Sequence, residues 1–253
     1  MNVISICFSP TGGTKNVADI LSNELKAKVH IDLTLPESNY GIYRFEKRDL
    51  CIMAVPSFGG RVPETAAKRI SKMKADGALA VIAVVYGNRA YEDTLLELNN
   101  IVTDCGFKVI GAIGAVAEHS VVRKYGSSRP DEADKNDLHK FAHEIKAKIS
   151  KHEFSTDLAL PGKKPYREYS KLPVLPKAGS ACNSCGLCAA KCPVGAISKD
   201  NLTQADKDMC ISCMRCVSIC PRDARNISKL TSIGASFMLR KSCSERKENE
   251  LFL

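Results

Sequence analysis

The sequence predicts an open α/β domain built on a five-stranded parallel sheet, followed by a small cysteine-rich α+β domain. Three observations carry this. Residues 1–150 alternate apolar runs with amphipathic stretches, residues 151–177 are rich in proline, and residues 182–221 state one four-cysteine pattern twice.

The expected strands are NVISICF (2–8), VHIDL (29–33), LCIMAV (50–55), ALAVIAVV (78–85) and FKVIGAIGAV (107–116). Their nearly continuous apolar character argues for burial on both faces, as in parallel sheets covered by crossover helices. Helical periodicity lies between them. Val17, Ile20, Leu21 and Leu25 share one face, as do Leu138, Phe141, Ala142, Ile145 and Ile149. The latter helix has a start signal: Pro130 in its first turn, with Asp131, Glu132 and Asp134 near the positive end of the dipole. This domain spans residues 1–152. Residues 153–178, with four prolines in ALPGKKPYREYSKLPVLPKAG, read as a flexible linker. Such a linker would let the two domains dock and separate. The cysteine-rich domain spans 179–227, and 228–253 reads as a tail with a short helix and a charged end.

The opening MNVISICFSPTGG lacks the charged region and cleavage site of a signal peptide, and LAVIAVVY is too short to span a bilayer. The expected location is the cytoplasm, with no membrane partner. Thiols stay reduced there, so twelve cysteines point to metal rather than disulfides. The net charge is +9: residues 1–150 carry 20 basic and 18 acidic side chains, and residues 151–253 carry 17 and 10. The basic excess lies in the cysteine-rich half. No nucleic-acid recognition motif accompanies it, so we read it as the complement of bound anionic groups, with no nucleic-acid partner.

Cys182, Cys185, Cys188 and Cys192 recur as Cys210, Cys213, Cys216 and Cys220, each 28 residues on; Pro193 recurs as Pro221 and Ala196 as Ala224. The spacing C-x2-C-x2-C-x3-C-P puts three thiolates within seven residues, and the fourth begins a segment leading away. Structural zinc uses four thiolates too, but usually as two separated pairs. The pattern resembles the bacterial two-cluster ferredoxin run, in which the fourth cysteine ligates the other cluster. That resemblance implies one [4Fe–4S] cluster on Cys182, Cys185, Cys188 and Cys220, and a second on Cys210, Cys213, Cys216 and Cys192. Cys7, Cys51 and Cys105 read as small core residues. Cys243 has no assignment from sequence.

Three loops follow expected strands, where open α/β sheets bind ligands. SPTGGTKNVA supplies Ser9, Thr11, Gly12, Gly13 and Thr14, a hydroxyl-rich turn whose backbone N–H groups suit a phosphate at a helix start. It lacks the G-K-[ST] of a Walker A loop and is not G-x-G-x-x-G. PSFGGRVPE supplies Pro56, Ser57, Phe58, Gly59 and Gly60. YGNRAYED supplies Tyr86, Gly87, Asn88, Arg89, Tyr91 and Asp93. Glycine beside an aromatic ring suits a flat ring system with a polar edge, with Phe58 the first stacking candidate and Tyr91 the second. His119 and Ser120 follow the fifth strand and could approach the edge of such a ring; the favoured reading for both is structural.

The phosphate turn, the five βα units and the two aromatic–glycine loops together resemble a flavodoxin over residues 1–150. The resemblance implies a doubly wound sheet of strand order 2-1-3-4-5 with FMN at the switch point. The chain departs from it in having no tryptophan. As a whole the sequence looks like a flavodoxin–ferredoxin fusion of the kind found in anaerobes. It implies an electron-transfer iron–sulfur flavoprotein serving redox partner proteins, in which cofactors rather than side chains perform the chemistry. Two other functions fit the same parts: a flavin reductase of a small molecule such as a quinone or nitro compound, and a redox sensor. An oxidised cluster with its thiolates carries about −2 and the FMN phosphate about −2, so three cofactors offset roughly six units of the basic excess.

Overall fold

The computed structural model describes residues 1–36, 38–169 and 174–253. In the N-terminal domain the strands are β1 (Asn2–Cys7), β2 (Val29–Asp32), β3 (Arg44–Glu46), β4 (Asp49–Pro56), β5 (Lys74–Asp76), β6 (Leu79–Tyr86) and β7 (Lys108–Val116). The helices are α1 (Gly13–Leu25), α2 (Glu64–Ile70), α3 (Thr94–Asp104) and α4 (Glu132–Ser150). Each of the five expected strands is present within one residue at either end. They pair in parallel in the order β2-β1-β4-β6-β7, which is 2-1-3-4-5 among themselves. β3 and β5 form a separate two-stranded sheet.

The continuous apolar strands have the expected cause. On one face Ile52, Val81 and Ile113 pack with Val17 and Leu21 of α1 and Leu138 and Ile145 of α4. On the other, Met53, Ile82 and Val84 pack with Ile70 of α2 and Leu95 and Leu98 of α3. Every residue of β6 is buried. Alternate side chains point to opposite faces, and both faces are covered, so no position favours a polar residue.

α4 starts at Glu132, beyond the Pro130 that the sequence places in its first turn. Asp131 is its N-cap, accepting from Asp134 N while the Asp134 side chain accepts from Asp131 N. This capping box satisfies two otherwise unpaired donors and leaves Pro130 outside the helix.

The cysteine-rich region contains β8 (Lys177–Ala178), α5 (Leu187–Ala190), α6 (Arg215–Ser218) and β9 (Arg225–Asn226), with β8 and β9 antiparallel. The tail then forms α7 (Lys229–Cys243) and β10 (Glu250–Phe252). Here the structure corrects the expectation of a charged end. β10 adds antiparallel to β7, extending the sheet to six strands. Asn88 Nδ2 donates to Cys243 O and Glu245 O, Arg129 donates to Lys247 O, and Val116 N donates to Asn249 Oδ1. Cys243 is buried with Val122 and Tyr125.

The expected flexible linker is also corrected. Leu158 and Leu160 pack on the N-terminal core, and Lys163 N and Arg167 N donate to Asp93 at 3.1 and 2.8 Å. The Arg61 guanidinium lies over the Tyr166 ring and donates to Arg167 O. These contacts lay residues 158–167 against the domain as a strap. Residues 170–173 of the expected linker lie outside the described residues. Among the described residues, no helix is long and apolar enough to cross a membrane.

Candidate cofactor sites

The two cysteine runs fold alike because their backbones turn at matching positions. Ser184 and Ser212 both have positive φ, as do Gly186 and Met214, and Gly195 and Asp223. Each pair is 28 residues apart. These left-handed turns bend the two runs alike, and those at Gly186 and Met214 each lead into a one-turn helix, α5 or α6. After each fourth cysteine the backbone returns a bond to its sulfur: Ala196 N donates to Cys192 Sγ and Ala224 N to Cys220 Sγ, both at 3.3 Å.

The structure brings the eight cysteines together as two quartets. Cys182, Cys185, Cys188 and Cys220 line one cavity, walled by Leu187, Leu202 and Arg225. Cys192, Cys210, Cys213 and Cys216 line the other, walled by Val194, Ile197 and Met214. Each quartet draws three thiols from one run and the fourth from its twin. Cys182 and Cys185 are exposed, whereas Cys192, Cys210 and Cys213 are buried. We call the quartets outer and inner on that basis.

Burial pushes the Cys213 thiol up to about 12 and that of Cys216 to about 11. Backbone N–H groups, led by that of Arg222, pull the Cys220 thiol down. Four thiols crowded into one cavity ionise together only around a cationic core, and a metal centre supplies that charge. A zinc ion needs its ligands about 2.3 Å from one point. Among the described residues no three His, Cys, Asp or Glu side chains converge in that way. Each quartet instead lines a cavity.

The third cavity lies at the carboxyl ends of the sheet strands. Pro10, Thr11, Gly13, Thr14, Pro56, Ser57, Phe58, Tyr86, Gly87, Glu118, His119, Ser120 and Cys213 contribute to its wall. α1 begins at its rim: Gly12 is a left-handed N-cap with no side-chain cap, and the first turn holds no acidic residue. The N–H groups at that helix start have no intrahelical acceptor, and the dipole adds positive potential. This chemistry fits a phosphate. Gly87 is required by close packing, because a Cβ there would sit 2.7 Å from the Cα of His119. Phe58 remains the aromatic that closes the cavity from the second loop, and Tyr86 does so from the third.

Several expected residues turn elsewhere. Ser9 Oγ accepts from Lys15 N and serves the α1 turn. Tyr91 is buried, packs edge-on against Tyr86 and donates to Glu250 at 2.6 Å, so it does not stack in the cavity. Asn88 binds the tail, Arg89 pairs with Glu92, and Asp93 receives the strap. Gly59 and Gly60 shape a tight turn, with Gly60 against Glu92 and Arg167. The four expected residues after Gly87, which are Asn88, Arg89, Tyr91 and Asp93, are therefore structural: the partners that claim them lie in residues 163–167 and 243–250 or in the loop itself.

Conversely, His119 and Ser120 line the cavity. His119 Nδ1 accepts from Val121 N and Val122 N at 3.2 and 3.1 Å, which fixes its proton on Nε2. Burial, then the charge of Arg89, holds its pKa below the usual imidazole range. It is a neutral donor. Cys213 is the residue that sequence reading missed at this site, because its approach depends on how the two domains meet. Arg69, in α2, donates to Leu33 O and to Pro193 O; Arg215 donates to Pro10 O at 3.3 Å and Ser218 Oγ to Thr11 O. These bonds seat the inner quartet beside the phosphate turn.

Residues 181–225 match the family described as the 4Fe-4S dicluster domain. The chain joins a flavodoxin-like fold to a 4Fe-4S dicluster domain. Among solved structures, it is similar to a flavodoxin of Streptococcus pneumonia TIGR4, at 18% identity over 58% of this chain and 99% of that one, with a TM-score of 0.42. A Fusobacterium nucleatum flavodoxin bound to flavin mononucleotide matches at 16% identity, over 61% of this chain and 100% of that one, with a TM-score of 0.40. Rubredoxin oxygen:oxidoreductase from Desulfovibrio gigas matches at 14% identity, over 59% of this chain and 37% of that one, with a TM-score of 0.42. No curated protein matches the chain. The fold assignment of the flavodoxin-like domain rests on its own strand order and crossovers rather than on these likenesses. The dicluster domain gives the chain a redox role.

Proposed function

We propose that the chain is an electron-transfer iron–sulfur flavoprotein that couples an FMN site to two [4Fe–4S] sites and serves redox partner proteins. One observation carries this reading: Cys213 lines both the inner quartet's cavity and the cavity at the sheet edge. When bound, FMN exchanges one or two electrons and each cluster exchanges one.

The side chains hold and orient. Thr11, Gly13 and Thr14 meet a phosphate at the start of α1. Phe58 and Tyr86 would flank the ring, and His119, with its proton on Nε2, would supply a neutral donor in the same cavity. The bonds from Arg69, Arg215 and Ser218 keep Cys213 at that edge. The exposed Cys182 and Cys185 put the outer quartet at the surface, where a partner protein can reach it.

The test is anaerobic purification of the full chain with extracted-flavin identification and iron and sulfide assays. The expected result is one FMN with about eight iron and about eight sulfide per chain. Rapid-mixing reduction should show flavin and cluster absorbance changing in one coupled sequence. Zinc-only material, absence of flavin, or clusters and flavin reduced independently would overturn the proposal. Turnover of a quinone at high rate without any partner protein would replace it with a reductase.

A further inference from the structure

The two halves of the cysteine repeat differ at one buried position beside the sulfurs. The residue after the repeated alanine is Ile197 in the first half and Arg225 in the second. Both are buried, at 5% and 2% exposure. Ile197 walls the inner cavity and Arg225 the outer one.

Arg225 is poorly matched by protein alone. Nη1 donates to Leu202 O at 2.6 Å and to Cys188 Sγ at 3.6 Å, and Nη2 donates to Pro176 O at 3.5 Å. Among the described residues, Nε is buried with no partner. No carboxylate is among these contacts. A buried charge without a counter-charge is costly, and the twin half fills the same place with isoleucine. The guanidinium also reaches Cys216 of the inner quartet, where its charge and a hydrogen bond act against the upward push of burial; its contact with Cys188 and its place in the outer wall are the closer ties. A ring of thiolates around an iron core supplies the missing negative charge.

Building on the cluster reading above, we propose that Arg225 is the fixed counter-cation of the iron–sulfur sites and raises the electron affinity of the outer site above that of the inner one. Reduction adds one negative charge to a cluster, and a cation against a ligand sulfur favours that state. One electron leaves the reductant and one enters the site; no bond or proton changes at Arg225. An electron then settles at the surface, nearest a partner.

The test is an EPR-monitored redox titration of the reconstituted full chain with dithionite, after iron, sulfide and flavin are counted. The wild type should show two cluster midpoints at least tenfold apart in electron affinity, about 59 mV for one-electron couples. Arg225→Gln and Arg225→Met should lower the upper midpoint by at least tenfold in affinity, and the lower one by less. Arg225→Lys should stay within threefold of wild type. Iron loss in the two neutral variants but not in the lysine variant also supports the counter-charge. Unmoved midpoints in a fully loaded glutamine variant overturn the proposal. So does a fall confined to the lower midpoint, or a lysine variant that loses iron or behaves like methionine, since either marks a packing role. A wild-type chain that binds no cluster sinks the functional reading itself, a result visible in the iron assay before any variant is made.

Discussion

In the flavodoxin-like domain Ile82 lies fully buried in the sheet, surrounded by other apolar side chains. In the dicluster domain the equivalent central places are taken by Cys192 and Cys210, packed with the buried Ala196, Ile197 and Ala205 and with partly buried neighbours such as Leu175, Val194 and Leu202. One domain buries two continuous apolar faces of a sheet. The other has a pair of two-residue strands and a pair of four-residue helices around its cavities. Helices of one turn do not persist alone, and a small core cannot offset the entropy of ordering the chain. The lesson is that the sheet-edge site sits on a fold that stands without its ligand, whereas the quartets are the core of theirs. Metal binding is then part of that domain's folding free energy.

The largest expected effect breaks the comparison if it fails. Stripping iron with an anaerobic chelator should abolish hydrogen-exchange protection in residues 182–220 and leave the amides of β6 protected. Equal protection of both regions after iron removal would show that the dicluster domain has a sufficient core of its own.

A smaller effect concerns the clasp between the tail and the first domain. Arg129 pairs with Asp134, whose side chain has no exposed surface, and Arg246 and Asn249 join the same carboxylate. Arg129→Met leaves that charge short of its main partner and should cost about 3–5 kcal/mol in urea unfolding of the first domain. Burial alone would raise the Asp134 pKa, but the bonds from Arg129 and the Asp131 backbone outweigh it and hold the group below its usual range. The sign follows from linkage: the contribution is full at neutral pH and fades as pH falls below the ordinary carboxylate range. The wild type should therefore lose more stability on acidification than Arg129→Met. A variant within 1 kcal/mol of wild type, or one with the same acid slope, would remove the clasp from the account; about 1 kcal/mol is the centre of the range for ordinary point substitutions.

The smallest effect sharpens the twofold likeness inside the repeat. Gly186 has φ of 75° with open space where a Cβ would lie, while its counterpart Met214 holds φ of 60° with a side chain. Gly186→Ala should cost about 1–2 kcal/mol through backbone strain alone, read as faster cluster loss in denaturant. No change would mean that the two turns are less alike than their angles.

Much of this was legible from residues 1–150 and 182–220. LAVIAVVY reads as a strand buried on both faces, and it is β6. The three loops after β1, β4 and β6 are legible from glycine and hydroxyl content, and Thr11, Gly13 and Thr14, Pro56 to Phe58, and Tyr86 and Gly87 do line the cavity. Tyr91 misled because an aromatic beside a glycine loop looks the same whether it faces a ligand or Glu250. ELF at 250–252 follows a charged stretch and is too short to announce a strand; only the open edge of β7 makes it one. The prolines of the expected linker signalled irregular backbone correctly, but irregular backbone bound to Asp93 is a strap and not a spacer.

What the sequence by itself determined was the five parallel strands, the duplication and the grouping of thiols in threes. These depend on apolar continuity and on spacing within a few residues, where short-range geometry leaves few choices. Tertiary structure alone decided that Cys213 reaches the phosphate turn, that the tail closes the sheet, and that Arg225 faces sulfur. Each of those is a contact between segments far apart in the chain, and no local pattern encodes which distant partner a side chain will meet.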